Sequence, residues 1–127
     1  MTIKILHPTC NLETIKDGRG GILTWLPKEP IVEFNMLFFK PGKTRGFHYH
    51  PEFIEYLLCV DGNGVLVTRK NKKDPKTEEI ISLSKGVCTR AEKETYHTVY
   101  SITEMTLVAM LTKQWDKSNP PIIQVND

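Results

Sequence analysis

The feature that most constrains this chain is the rhythm of its turn signals. Along its 127 residues, clusters of glycine, proline and asparagine recur at short intervals, separated by stretches rich in β-branched and aromatic residues. Asp17-Gly-Arg-Gly-Gly21 precedes an expected strand at 22–26. The stretch 32–39 ends at Pro41-Gly42, and 46–50 ends at Pro51. Residues 55–60 and 65–69 flank Asp61-Gly-Asn-Gly64, which suits a tight hairpin turn with positive φ. Residues 78–83, 87–90, 96–100 and 105–112 complete about nine short strands, the spacing of a β-sandwich or barrel. No βαβ alternation competes, so the expectation is an all-β domain spanning 1–127.

Charge and cysteine usage narrow the function classes. Seventeen Lys and Arg against fifteen Asp and Glu give a net charge of +2, too small to argue for a nucleic-acid or membrane partner. Cys10, Cys59 and Cys88 are odd in number and form no C-x-x-C pair, against a disulfide framework or a cysteine zinc site. The N-terminus lacks the apolar core of a signal peptide, and no apolar run approaches the roughly 20 residues of a membrane span. A cytoplasmic protein is expected. Lys70-Asn-Lys-Lys-Asp-Pro-Lys76 reads as a solvated hairpin loop. The tail Lys117-Ser-Asn-Pro-Pro121 cannot continue a central strand, so it should wrap the domain or reach a partner subunit.

The chemistry concentrates in one stretch, Gly42-Lys-Thr-Arg-Gly-Phe-His-Tyr-His-Pro-Glu-Phe-Ile-Glu55. His48 and His50 are two apart, so on a strand both imidazoles leave the same face. Pro51 breaks the ladder, and a turn through Glu52-Phe53 brings Glu55 back on the adjacent strand, facing the same way as Leu57 and Cys59. His97, in Glu94-Thr-Tyr-His97, is a fourth candidate. His48, His50, Glu55 and His97 together are the ligand types that divalent Zn, Fe, Mn or Ni use.

These residues resemble the cupin superfamily. Its first motif is present in full: Gly42, five residues, His48, one, His50, four, Glu55, six, Gly62. Its second motif matches in spacing from Gly86 through His97 to Ser101, but Glu92, Glu94 and Ser101 stand where proline, glycine and asparagine are usual. Asp17-Gly-Arg-Gly20 with Arg45-Gly-Phe-His48 further resembles the sugar-nucleotide cupins, among them dTDP-4-dehydrorhamnose 3,5-epimerases, dTDP-sugar 3,4-ketoisomerases and the cupin domain of a bifunctional capsular polysaccharide enzyme.

That resemblance implies an antiparallel double-stranded β-helix, a jelly-roll barrel, commonly paired as a homodimer. It implies an epimerase or ketoisomerase of a nucleotide-activated 4-keto-6-deoxy sugar in surface polysaccharide synthesis, needing no nicotinamide or flavin. Arg19 and Arg45 become the ligands of the nucleotide-sugar diphosphate, for which a guanidinium fork is well matched. His48 becomes the base, with His50 and Tyr100 completing the catalytic set. Tyr49, Tyr56 and Tyr96 are the other tyrosines considered for the acid, and strand parity turns Tyr96 and Tyr100 away from His97 unless the strand bulges. Two other functions stay open: a metal-dependent cupin oxygenase or isomerase acting on a small acid, and a ligand-binding cupin without catalysis.

Overall fold

The computed structural model describes residues 3–8 and 16–126. Two five-stranded antiparallel sheets face each other. The first runs β1 (Ile3–Ile5), β9 (Cys88–Ala91), β6 (Glu55–Asp61), β11 (Met105–Leu111) and β4 (Glu33–Phe39). The second runs β12 (Ile123–Gln124), β5 (Thr44–Tyr49), β10 (His97–Ser101), β7 (Gly64–Arg69) and β8 (Glu78–Leu83). A two-stranded ribbon pairs β2 (Lys16–Asp17) with β3 (Gly20–Gly21). This is the all-β architecture that the turn rhythm predicts, in the jelly-roll form that the cupin resemblance implies. No helix among the described residues is long and apolar enough to cross a membrane.

Period-2 patterning builds the core. Along β11, Met105, Leu107, Ala109 and Leu111 are buried while Thr106, Val108 and Met110 alternate toward the outside. Leu107 meets Leu66 of the opposite sheet in a cluster with Phe39, Leu57, Cys59, Leu83, Val99 and Met105. Each such side chain, fully buried, contributes roughly 1.5–3 kcal/mol. The β6–β7 turn is tight because Gly62 sits at φ +84°, where any Cβ would strike the Glu104 carbonyl and Met105 Cα.

The structure departs from the expected strands in three places. Residues 22–26 form no strand beyond a single bridge at Thr24. The segment is instead pinned by Trp25 Nε1–H to the Leu6 carbonyl (3.0 Å) and by Lys28 N–H to the Tyr56 hydroxyl (3.1 Å). Pro27 and Pro30, which follow it, keep a ladder from continuing past its end. The strands β1 and β12 were not expected, because each is only two or three residues long. After Pro120-Pro121 the tail wraps back and adds β12 to the edge of β5. Cys59 and Cys88 are free and buried; Cys10 lies outside the described residues.

Candidate active site

A β-bulge in β5 organises the site. His48 pairs with His97 of β10, but Gly46, not Phe47, pairs with Thr98. The extra residue, Phe47, takes φ +58°, and Gly46 takes φ +139°. Only glycine fits at 46, since a Cβ there would stand 2.5 Å from Thr98 Cα. The bulge resets side-chain parity. Arg45, paired with the inward-facing Val99, therefore lines the same cavity as His48 and His50.

Three imidazoles converge. His48 Nε2 lies 3.1 Å from His97 Nε2, and one ligating nitrogen from each of His48, His50 and His97 falls within 4.8 Å of the others. Glu55 Oε1 is 3.5 Å from His97 Nε2. Backbone carbonyls orient two rings: His50 Nδ1 meets Pro121 O at 2.9 Å and His97 Nδ1 meets Thr95 O at 3.1 Å. Each carbonyl takes an N–H from Nδ1, which leaves Nε2 of His50 and His97 as the free lone pair.

Burial sets the protonation of the cluster. It lowers the His48 imidazole to about 4 and His97 to about 3, assisted in each by the neighbouring histidines, and it lowers His50 as well. All three rings are neutral at pH 7, the form that ligates a metal or accepts a proton. Burial also raises Glu55 to about 7. Three neutral histidines with an adjacent carboxylate fit a divalent transition metal in donor type.

The cavity has a volume of about 460 Å³. Its inner wall is apolar, formed by Leu37, Leu57, Ala109 and Leu111, with the histidines and Glu55 as the polar groups. Of the residues expected from sequence, His48, His50, Glu55, His97 and Arg45 all line it. Arg19 and Tyr100 do not. Arg19 is exposed in the β2–β3 turn. Tyr100 faces outward from β10, edge-on to Phe47 at 6.3 Å, because β10 keeps a regular register with β7 from His97 to Ser101.

Sequence reasoning missed Asn35, Trp115 and Gln124, which also line the cavity. Trp115 stands edge-on to His50 at 6.0 Å, and its backbone N–H donates to Glu33 Oε1 at 3.0 Å. Period-2 parity could have found Asn35, a polar residue on the inward face of an apolar strand. Nothing local marks Trp115 or Gln124, which reach the site through the folded-back tail.

The altered second motif keeps its geometry by other means. Glu94, where glycine is usual, adopts φ +65°, and its N–H donates to the His50 carbonyl at 2.8 Å. Ser101, in place of asparagine, donates from Oγ to the Lys40 carbonyl (2.6 Å) and accepts from Lys43 N–H (3.0 Å). His97 is thereby held although two of the usual turn residues are absent.

The sequence profile of the polysaccharide biosynthesis C-terminal domain matches residues 15–121. The chain belongs to that family. Among curated proteins no match is found. Solved structures resemble the fold at low identity. A 3,4-ketoisomerase from Helicobacter canadensis aligns with TM-score 0.79 and 20% identity, over 98% of this chain and 91% of that one. ChmJ, a 3'-monoepimerase from Streptomyces bikiniensis in complex with dTDP-quinovose, aligns with TM-score 0.77 and 21% identity, over 98% and 69%. The capsular polysaccharide assembling protein CapF from Staphylococcus aureus aligns with TM-score 0.63 and 22% identity, over 94% of this chain and 34% of CapF. The chain thus spans about a third of CapF.

Proposed function

We propose that the protein is a cytoplasmic epimerase or ketoisomerase of a nucleotide-activated 4-keto-6-deoxy sugar, serving surface polysaccharide synthesis as a homodimer. The observation that carries this reading is the placement of Arg45 on the same cavity wall as His48 by the β5 bulge. A cation that can hold a phosphate oxygen then stands beside a neutral base. Isomerisation beside a ketone is redox-neutral, so it requires neither nicotinamide nor flavin, only movement of a proton.

His48 is the proton acceptor: it is the least buried of the three rings and is neutral at pH 7. His97 Nε2, 3.1 Å behind it, can share the proton once it is taken. His50, oriented by the Pro121 carbonyl, presents Nε2 toward the same space. Glu55, near 7, can give up or take a proton at the working pH. The apolar wall excludes water and accommodates a deoxy carbon. The diphosphate role assigned to Arg19 and the acid role assigned to Tyr100 draw no support from their positions outside the cavity.

His48, His50, Glu55 and His97 would also hold a divalent metal, Zn, Fe, Mn or Ni, which when bound supplies Lewis-acid polarisation of the carbonyl. A His48 that ligates is not a free base, so metal content decides how the proton acceptor is assigned. The functional test is incubation with dTDP-linked 4-keto-6-deoxy sugars in D₂O. Deuterium at a ring carbon next to the ketone, lost in His48→Asn, is the expected result. A folded protein that incorporates none from any such sugar overturns the reading.

A further inference from the structure

The β7–β8 connection is exposed but not loose. Residues 69–76 carry five cations and one acid, and side chains hold their backbone in place. Asn71 Oδ1 accepts from Lys73 N–H and Asp74 Oδ1 from Lys76 N–H, each at 3.0 Å. Thr77 Oγ1 accepts from Asn71 N–H, also at 3.0 Å. Arg69, itself buried, lies with its guanidinium 4.0 Å from the Tyr96 ring centre. Its Nε and Nη2 donate to Glu78, and its Nη1 donates to the Lys72 carbonyl at 3.0 Å. The lysines of this loop therefore project from a preset frame, which lowers the entropy cost of using them together.

Between the loop and the tail lies a recess of about 390 Å³. Lys72 and Lys73 form one side of it, and Tyr49 with residues 123–126 of the tail forms the other. No carboxylate lines it among the described residues. The Lys72 ammonium stands 4.3 Å from the Tyr49 ring centre and 3.1 Å from Glu94 Oε1, whose side chain is 58% exposed. Across Lys72 a second recess, of about 460 Å³, adds Lys70, Lys93 and Glu94 itself. Four ammonium groups thus gather here against one exposed acid. A phosphate group, with several acceptor oxygens and at least one full negative charge, can take charge-assisted bonds from several of them at once. Gln124 and Asn126 add side-chain amide donors on the tail side.

We propose that this recess is a second anion site, outside the catalytic cavity, which takes the phosphate groups of a soluble small molecule and clamps the tail onto β5. Residues 123–126 can line it only while β12 is paired with β5. An anion that bridges Lys72 and Lys73 to the Gln124 and Asn126 amides therefore binds the docked tail better than an undocked one. That difference in affinity is what allows a ligand to shift the equilibrium between the two. The same segment reaches the catalytic cavity: Gln124 lines both spaces, and the Pro121 carbonyl orients His50. Arg45 lines the catalytic cavity but not the recess, so the two sites are separable by substitution. A recess in a chain of net charge +2 suits a compact polyanion better than it suits an extended anionic membrane.

Trypsin cleavage after Lys117, an exposed residue of the tail, tests the clamp with inorganic pyrophosphate as the probe. Mass spectrometry follows the Lys117–Ser118 bond alone. Millimolar pyrophosphate should slow its cleavage at least about threefold, in as-purified and chelator-treated protein alike. Arg45→Ala should keep that slowing, and Lys72→Ala/Lys73→Ala should lose it. Asn126→Asp, which puts a carboxylate into the recess, should weaken it too and decides the matter if the double variant fails to fold. Sodium chloride at matched ionic strength should not reproduce the effect. The proposal is overturned by no slowing, by slowing that chloride reproduces, by slowing that vanishes with Arg45→Ala, or by slowing that survives the recess variants. Pelleting with phosphatidylglycerol vesicles, without a response to pyrophosphate, would assign the lysines to a membrane instead and equally overturn it. The isomerase reading is decided separately, by deuterium incorporation, and stands or falls independently of these outcomes.

Discussion

Arg45 and His48 share one face of β5 although an odd number of positions separates them, because Phe47 is an extra residue in the ladder with β10. Straight strand parity would turn one of them outward. The bulge is therefore the element that joins the Arg45 guanidinium, proposed above as the phosphate ligand, to the histidine cluster, and its backbone demands glycine at 46.

Gly46→Ala tests that dependence. The added methyl would meet Thr98 Cα at 2.5 Å and the His97 carbonyl at 2.6 Å, at φ +139°. A loss of roughly 2–3 kcal/mol is expected from strain and overpacking, measured as a lower urea midpoint. Phe47→Ala, which removes only a half-exposed ring, should cost less than about 1.5 kcal/mol. Equal effects from the two would refute the role given to the bulge.

Glu94 offers the opposite experiment. It holds φ +65° where the second cupin motif usually has glycine, a conformation that costs a non-glycine residue roughly 1–2 kcal/mol. Glu94→Gly removes that strain but adds freedom to the unfolded chain, worth about 0.5–1 kcal/mol. It also deletes a bond to Lys72 from a side chain that is 58% exposed. A net gain of about 0.5 kcal/mol is expected in chemical denaturation, with no gain from Glu94→Ala. If alanine stabilises as well as glycine does, backbone strain is not the cause.

Much of this was legible from residue order. The turn signals located β4 through β11 to within about two residues, because glycine and proline act locally and the strands alternate cleanly. Pro51 and the return through Phe53 correctly turned Glu55 toward the histidines. What escaped depends on long-range pairing. The bulge that rotates Arg45 inward, the edge strand β12, and Trp115 and Gln124 at the cavity wall have no local period. Residues 22–26 carry strand-like composition, yet only Thr24 makes a bridge, and the segment is anchored through the Trp25 indole and the neighbouring Lys28 N–H instead.

Glu55 and the histidines should give stability two opposed pH windows in chelator-treated protein. Burial raises Glu55 from 4.5 to about 7, so the unfolded chain releases this proton first, and folding loses stability as pH rises from 4.5 to 7. His48 and His97 fall from 6.5 to about 4 and about 3, so the unfolded chain takes up protons first, and stability also falls as pH drops below 6.5. Glu55→Gln removes only the first effect. Its unfolding free energy in urea should match that of the unaltered protein at pH 4 and exceed it at pH 8, by up to roughly 3 kcal/mol. A difference that does not vary with pH would contradict the buried carboxyl.

The tail beyond Trp115 should control how well the histidines bind metal. Pro121 O fixes the His50 ring at 2.9 Å, Gln124 pairs with His48 in the β12–β5 ladder, and Val125 N–H reaches the Phe47 carbonyl at 2.8 Å. None of these residues belongs to the main core cluster, so a chain ending at Asp116 should keep the first sheet and strands β5, β10, β7 and β8 of the second, losing only the edge strand β12. Without the Pro121 carbonyl, His50 is free to rotate and to place its proton on either nitrogen. Loss of such an orienting partner typically weakens metal binding about 10–100-fold. Competition of Zn against a chromophoric chelator measures this directly, with Gln124→Ala as the control that keeps the backbone contacts. The truncated protein should fall within that range while the control changes by less than about threefold; unchanged affinity on truncation would mean that β5 and β10 orient the rings unaided.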